Sequence, residues 1–259
     1  MKKALIMAAA AIMAIAATSC IIEKRPASDR ATADAEAIVT AIKAEKFSSV
    51  NVGGAVTLIL TQGETDSIRL DGDAKDVARY TVKQDGDKLF IRQKDNVSII
   101  NKMSGSGKVT VYASTPDLSY IEAAGACSII MEKPVSFNTL SIHVSGASDI
   151  DIDSITVNAL KIRSNGASDI DIDHAAVKDE FVSQLNGAGS LEACVIGAEN
   201  VSVNAAGAGN CEIRLKDCGD VMCSMSGAAS ADISGNARSI SKDKSGAASI
   251  DTDDLKLGK

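Results

Sequence analysis

Gly146-Ala147-Ser148-Asp149-Ile150-Asp151-Ile152-Asp153 returns twenty residues later as Gly166-Ala167-Ser168-Asp169-Ile170-Asp171-Ile172-Asp173, the same eight residues in the same order. Within each copy the apolar residues alternate with acidic ones, the pattern of a strand with one buried face and one wet face. Working outward, the Gly-Ala pair recurs at Gly125, Gly146, Gly166, Gly187, Gly207, Gly227 and Gly246, at spacings of 21, 20, 21, 20, 20 and 19 residues. Internal repetition at a fixed period near twenty predicts a stack of coils, each a supersecondary unit that buries its apolar side only against its neighbours.

The register follows from taking each repeat glycine as zero. Four and six residues later stand Ile129/Met131, Ile150/Ile152, Ile170/Ile172, Leu191/Ala193, Cys211/Ile213 and Ala231/Ile233. Six and four residues earlier stand Leu140/Ile142, Leu160/Ile162, Phe181/Ser183, Val201/Val203 and Val221/Cys223. Two short strands therefore flank each corner, and Val157, Val177 and Cys218 suggest a third inward side. The glycine supplies positive φ or a very tight corner without a Cβ clash, and Asn165 and Asn186 before two of them tolerate the left-handed region. The fold class is thus all-β, a parallel β-helix or solenoid with ~20-residue rungs ~4.8 Å apart, seven of which make a rod roughly 34 Å long. Leucine-rich repeats share the length, but their Leu-x-x-Leu-x-Leu consensus is missing.

Both ends depart from the series. The inward positions before the last corner hold Lys242 and Lys244, which predicts an open or capped final rung that discourages end-to-end strand pairing, with Leu255-Lys256-Leu257 closing the remaining edge. Upstream, Gly54-Ala55 carries the same phase between Val50/Val52 and Leu58/Leu60, one rung ahead of the regular ones. Between them an Asp85-Gly86 turn joins Tyr80-Thr81-Val82-Lys83 to Lys88-Leu89-Phe90-Ile91 as a hairpin, and residues 73–80 read as one short helix. Residues 36–259 form a single β-solenoid domain, with an irregular β-rich start and regular rungs over about 116–254.

The first residues belong to export rather than to the fold. Lys2 and Lys3 precede a charge-free apolar run from Ala4 to Ala17, too short to span a bilayer comfortably, and Ala17-Thr18-Ser19-Cys20 resembles a bacterial lipobox. Residues 1–19 read as a lipoprotein signal peptide, Cys20 as the lipidated residue, and 20–35 as a polar tether holding the domain off the membrane. This address is the cell envelope, with the outer membrane as the expected anchor. Ile21-Ile22-Glu23-Lys24 lacks an acidic cluster after the Cys, which leaves the periplasmic and surface-facing sides both open.

Chemistry is sparsely signalled. The 259 residues carry a net charge of −7 with 3% aromatics and no Trp, which excludes a nucleic-acid binder needing a basic face or a stacking platform. Of six cysteines, Cys20 is assigned to lipid, Cys127, Cys211, Cys218 and Cys223 fall on inward or corner positions as core filler, and Cys194 points outward. No Cys-x-x-Cys spacing exists, so no metal cluster is expected, and no cofactor is implied. The candidate metal ligands are Asp149, Asp151, Asp169 and Asp171, outward carboxylates on adjacent rungs that could offer calcium some of its oxygens; with Asp153 and Asp173 they equally read as a solvated face. His143 and His174 are the only histidines and lie at different phases, so each reads as a surface residue. Rungs of 19 to 21 residues leave no long loops to wall a substrate cleft, and no Gly-x-Ser-x-Gly elbow is present.

The run from Phe47 to Gly63 (Phe-Ser-Ser-Val-Asn-Val-Gly-Gly-Ala-Val-Thr-Leu-Ile-Leu-Thr-Gln-Gly), followed by the serial Gly-Ala corners, resembles the head GIN domain family of auto-transporter adhesins over about residues 45 to 255. The resemblance implies a parallel, right-handed β-helix in the cell envelope of Bacteroides-type bacteria, and it brings no catalytic or binding residues. The expected function is a non-catalytic envelope lipoprotein for adhesion or interaction, presenting an extended face to an envelope protein or a glycan and meeting the membrane through Cys20. The alternative is a calcium-dependent glycan-binding protein or a polysaccharide-active β-helix enzyme.

Overall fold

In a computed structural model, which describes residues 21–23, 37–42, 44–94 and 109–258, the chain is a parallel β-solenoid of about seven turns with ~20-residue rungs. The signal peptide, Cys20 and most of the expected tether lie outside the described residues. Five elements carry the regular rungs: β8 (Tyr120–Met131), β10 (Thr139–Ile196), β11 (Asn200–Gly207), β12 (Asn210–Gly227) and β13 (Ser230–Lys244). The short β9 (Val135–Ser136) pairs with β10 at Ile155 and Thr156. The strands do not stop at the glycines as expected. β8 runs through its corner, and β10 continues for 58 residues because the parallel ladder with each neighbour persists around the bend.

The register is the one the alternation demands. Gly146 pairs with Gly125, Gly207 with Gly187, and Gly227 with Gly207. Ile142, Ile150, Leu160, Ile162, Ile170, Phe181, Cys211 and Cys223 all sit in one buried core. Each fully buried Ile, Leu or Phe contributes about 1.5–3 kcal/mol, and no aromatic cluster is needed to fill so narrow an interior. The corner glycines take positive φ, from 74° at Gly246 to 145° at Gly166. A Cβ placed on any one from Gly125 onward would lie within 3.0 Å of the carbonyl oxygen of the glycine one rung before. Asn165 and Asn186, by contrast, are not left-handed. Instead Asn186 Nδ2 donates to Asn165 Oδ1 at 3.0 Å, one link of a side-chain ladder along the corner.

The start of the domain is built out of sequence order. β3 (Ser49–Gln62) is the early rung, and it pairs in parallel with β8 on one side, Gly54 against Gly125. Its other side is covered by two later strands, β6 (Lys88–Gln93) along residues 49–53 and β7 (Val109–Thr115) along residues 56–62. The expected hairpin is β5 (Tyr80–Asp85) with β6, its turn at Gly86 with φ 58°. The expected helix is a single turn, α1 (Ala74–Val77). β4 (Ser67–Asp73) runs antiparallel to β7, and β2 (Ala37–Ile42) and β1 (Ile21–Glu23) extend that edge. Tyr80 fastens this cap to the first corner: its hydroxyl donates to the Ala55 carbonyl at 3.0 Å and accepts from the Ala55 amide at 3.2 Å. At the other end β14 (Ser249–Asp251) and β15 (Leu255–Leu257) both pair with β13, so Leu255-Lys256-Leu257 does close part of that edge.

Candidate interaction face

Each corner separates two outward sheet faces, and the one after the corner carries the acidic copies. Counting five residues from each glycine gives a single row along the axis: Ile59, Ile130, Asp151, Asp171, Glu192, Glu212, Asp232 and Asp251. The ladder places Ile59 beside Ile130, Ile130 beside Asp151, Glu192 beside Glu212, Glu212 beside Asp232, and Asp232 beside Asp251. The acidic ladder thus runs over six rungs, not two. Glu192, Glu212, Asp232 and Asp251 escaped the sequence reading because the exact eight-residue copy ends before them, although their phase was available in the repeat.

Asp149, Asp151, Asp153, Asp169, Asp171 and Asp173 are all exposed on this face, as expected. Asp151 is held above the usual carboxylate range by desolvation and then by the charges of Asp153, Asp171 and Asp173. Asp169 accepts a hydrogen bond from Ser190 Oγ at 2.7 Å. Among the described residues no three His, Cys, Asp or Glu side chains converge as a metal-holding group; the carboxylates lie along a flat sheet instead. The cation among these carboxylates is Arg214, 3.4 Å from Glu212 and 3.9 Å from Glu192.

The row changes character toward the cap. Beyond Ile59 it continues to Tyr112 of β7 and then to Arg69 of β4, whose guanidinium stacks over the Tyr112 ring at 4.1 Å from its centroid. Ile59, Ile68, Arg69, Tyr112 and Ala113 line a shallow groove there of about 360 Å³. One sheet face therefore joins an apolar, aromatic end to a polyanionic length.

The remaining polar features are self-contained. His174 is exposed, whereas His143 is half-buried against Tyr120, with the phenol 3.0 Å from His143 Nδ1 and the rings edge-on at 5.1 Å. Burial and then the neighbouring Arg163 charge push His143 below its usual range. Away from the glycine corners Arg238 makes paired bonds to Asp220 at 3.0 and 2.7 Å and reaches Glu199 at 2.8 Å, beside a groove of about 770 Å³. That network has no periodic signature, because a register shift between Leu215 and Cys218 interrupts the twenty-residue phase there. Cys127, Cys211, Cys218 and Cys223 are buried as anticipated, and Cys194 is partly exposed.

A family model described as "Putative auto-transporter adhesin, head GIN domain" matches residues 46–217. A crystal structure of a "putative adhesin" from Bacteroides fragilis superimposes with a TM-score of 0.66 at 20% identity, covering 85% of this chain and 98% of that one. A "putative lipid binding protein" from Parabacteroides distasonis gives 0.65 at 18%, covering 83% and 96%. A "putative adhesin" from Parabacteroides merdae gives 0.58 at 14%, covering 83% and 95%. At these identities the likeness is one of fold. No curated protein matches the sequence. Among the described residues no helix is long and apolar enough to cross a membrane.

Proposed function

Since the chain belongs to the head GIN domain family, we propose that it is a non-catalytic adhesion or interaction module of the cell envelope, anchored through lipid on Cys20. The observation that carries this reading is the unbroken outward face after the corners, on which side chains from Tyr112 to Asp251 stand in one row. Such a face meets an extended partner by breadth rather than by enclosing a small molecule. From Gly125 onward neighbouring rungs follow one another at 19 to 21 residues without long insertions, which supports binding over catalysis.

The anchor and the role are tested together. Membranes from cells making the wild-type chain are expected to retain it through high-salt washing, while Cys20→Ser moves it to the soluble fraction. Intact cells are then labelled with a membrane-impermeant biotin reagent, and the purified chain is added as a competitor in an adherence assay. Wild-type protein that washes off as readily as the variant overturns the anchor. A chain sheltered from the label and without effect on adherence overturns direct adhesion. Release of new reducing or unsaturated ends from host or capsular polysaccharide would favour the enzyme alternative instead.

A further inference from the structure

Most of the excess charge of the solenoid stands on one face. In the strands after the corners, ten exposed carboxylates (the six aspartates of the two copies, with Glu192, Glu212, Asp232 and Asp251) stand against one guanidinium, Arg214. Everywhere else in residues 116–258, eleven acidic side chains are balanced by nine basic ones. Two of those cations are bound to acids of their own surface, Lys161 to Glu180 at 2.7 Å and Arg238 to Asp220 and Glu199. Like charges at a rung spacing of ~4.8 Å oppose the in-register stacking that holds the fold. The face carries this cost over six consecutive rungs, while the other surfaces of the same coil are close to balanced.

We propose that this face docks a lysine- and arginine-rich polypeptide laid along the solenoid axis, its apolar end over Tyr112, Ile59 and Ile130. The inference rests on the interaction role proposed above and names its partner chemistry. Charge complementarity selects the occupant: a row of fixed carboxylates with a low density of counter-charge raises the local concentration of cations and speeds their association. Lysine and arginine stems are long and flexible enough to bridge the difference between the ~4.8 Å rung spacing and the ~6.6 Å between like-facing residues of an extended partner, so each cation reaches a carboxylate of the row. The apolar end sets direction, because Arg69 stands next in the row beyond Tyr112 and repels a cationic segment that overruns it. A small cation would use the carboxylates and ignore that end.

The experiment uses the full purified chain and a fluorescent peptide in which Lys and Ser alternate over about 20 residues, with a second peptide that adds a Leu-Phe-Leu end. Binding is read by anisotropy at about 50 mM salt, where surface charges are only partly screened. The variant E192Q/E212Q/D232N is compared with D117N/D179N/D254N, which removes the same charge from other surfaces. The first is expected to weaken binding at least about tenfold and the second less than about threefold, with the apolar-ended peptide binding more tightly to both. Equal losses in the two variants, no binding by the wild-type chain, or no gain from the apolar end would each overturn the proposal. So would displacement of the peptide by calcium at concentrations where magnesium leaves it bound, which identifies a divalent-cation site, or wild-type dimers lost in E192Q/E212Q/D232N, which identify a second copy as the occupant. Adherence that persists in E192Q/E212Q/D232N despite lost peptide binding sinks this partner and leaves the adhesion role standing.

Discussion

Cys223, wholly buried inside the coil, is paired in register with Lys242, whose side chain stands in solvent on the last long strand. Met225 and Lys244 are related in the same way. An inward position therefore becomes an ammonium group where the stack ends, and any further strand laid on residues 239–244 would have to desolvate two of them. Lys242 instead donates to Thr252 Oγ1 at 2.9 Å, across the open end. An apolar edge at this place would be a template for another chain. The double variant K242V/K244V is expected to self-associate with rising concentration in sedimentation velocity while the wild type does not. A variant that stays monomeric throughout would show that something other than these lysines stops the stack.

The corner glycines make a second, sharper prediction. Gly166 has φ 145°, and a Cβ there would press on the Gly146 carbonyl, which is backbone and paired on both sides. Strain and overpacking together place the cost of Gly166→Ala at about 3 kcal/mol. For a domain of this size that lowers the melting temperature by roughly 6–12 °C. Ala167→Ser, one residue on and exposed, is expected to melt within about 2 °C of wild type. Equal melting of Gly166→Ala and wild type would mean that the corners are not closely stacked.

Why the regular rungs were legible and the cap was not comes down to the range of the interactions. Ile150 and Ile170 bury the same face because each rung repeats a local alternation, so phase alone gives the core and the row of Asp151 and Asp171. β6 and β7, which precede β8 in the chain, lie on the side of β3 away from it. Nothing local in Lys88–Gln93 says that it pairs with Ser49 in parallel as well as with Tyr80–Asp85 in a hairpin. The Arg238 network was hidden for a related reason: Asp217 takes φ 54° beside the bulge, and Glu199, Asp220 and Arg238 meet at separations of 18 and 39 residues that no motif marks.

Thiol chemistry gives a third test. Burial pushes Cys211 up to about 12 and Cys223 up to about 11, and raises Cys127 and Cys218 in the same direction. The thiolate is the reactive form, so these four are protected both by access and by protonation at mildly alkaline pH. Cys194, partly exposed, is expected to be the one described thiol that reacts quickly with a disulfide reagent in the folded chain. Peptide mapping after a short pulse should find the label on Cys194, and the other four should react only after denaturation. Rapid labelling of Cys211 or Cys223 in native protein would place them outside the dry interior.

The acidic row makes the last prediction, and two carboxylates on the same molecule should titrate in opposite senses. Asp220, bonded by Arg238 and Ser239, is held down to about 2, so its stabilising contribution is present above the ordinary carboxylate value and is lost as pH falls through about 2. Asp151 is raised, by desolvation and by Asp153, Asp171 and Asp173. Its folded form binds the proton more tightly than the unfolded chain, so stability declines as pH rises from the ordinary value through the raised one, and the penalty stays in force at neutral pH. Asp171→Asn should therefore move the Asp151 carboxyl resonance to a lower midpoint and raise the neutral-pH melting temperature slightly, by a few tenths of a kcal/mol on an exposed sheet. Salt should narrow the difference between variant and wild type, since it screens the same repulsion. Calcium and magnesium at equal concentration should stabilise the wild type alike, because Asp149, Asp151, Asp169 and Asp171 lie along a flat sheet rather than around a point. A calcium-specific rise in melting temperature, lost in Asp171→Asn, would instead make these four carboxylates a true ligand set.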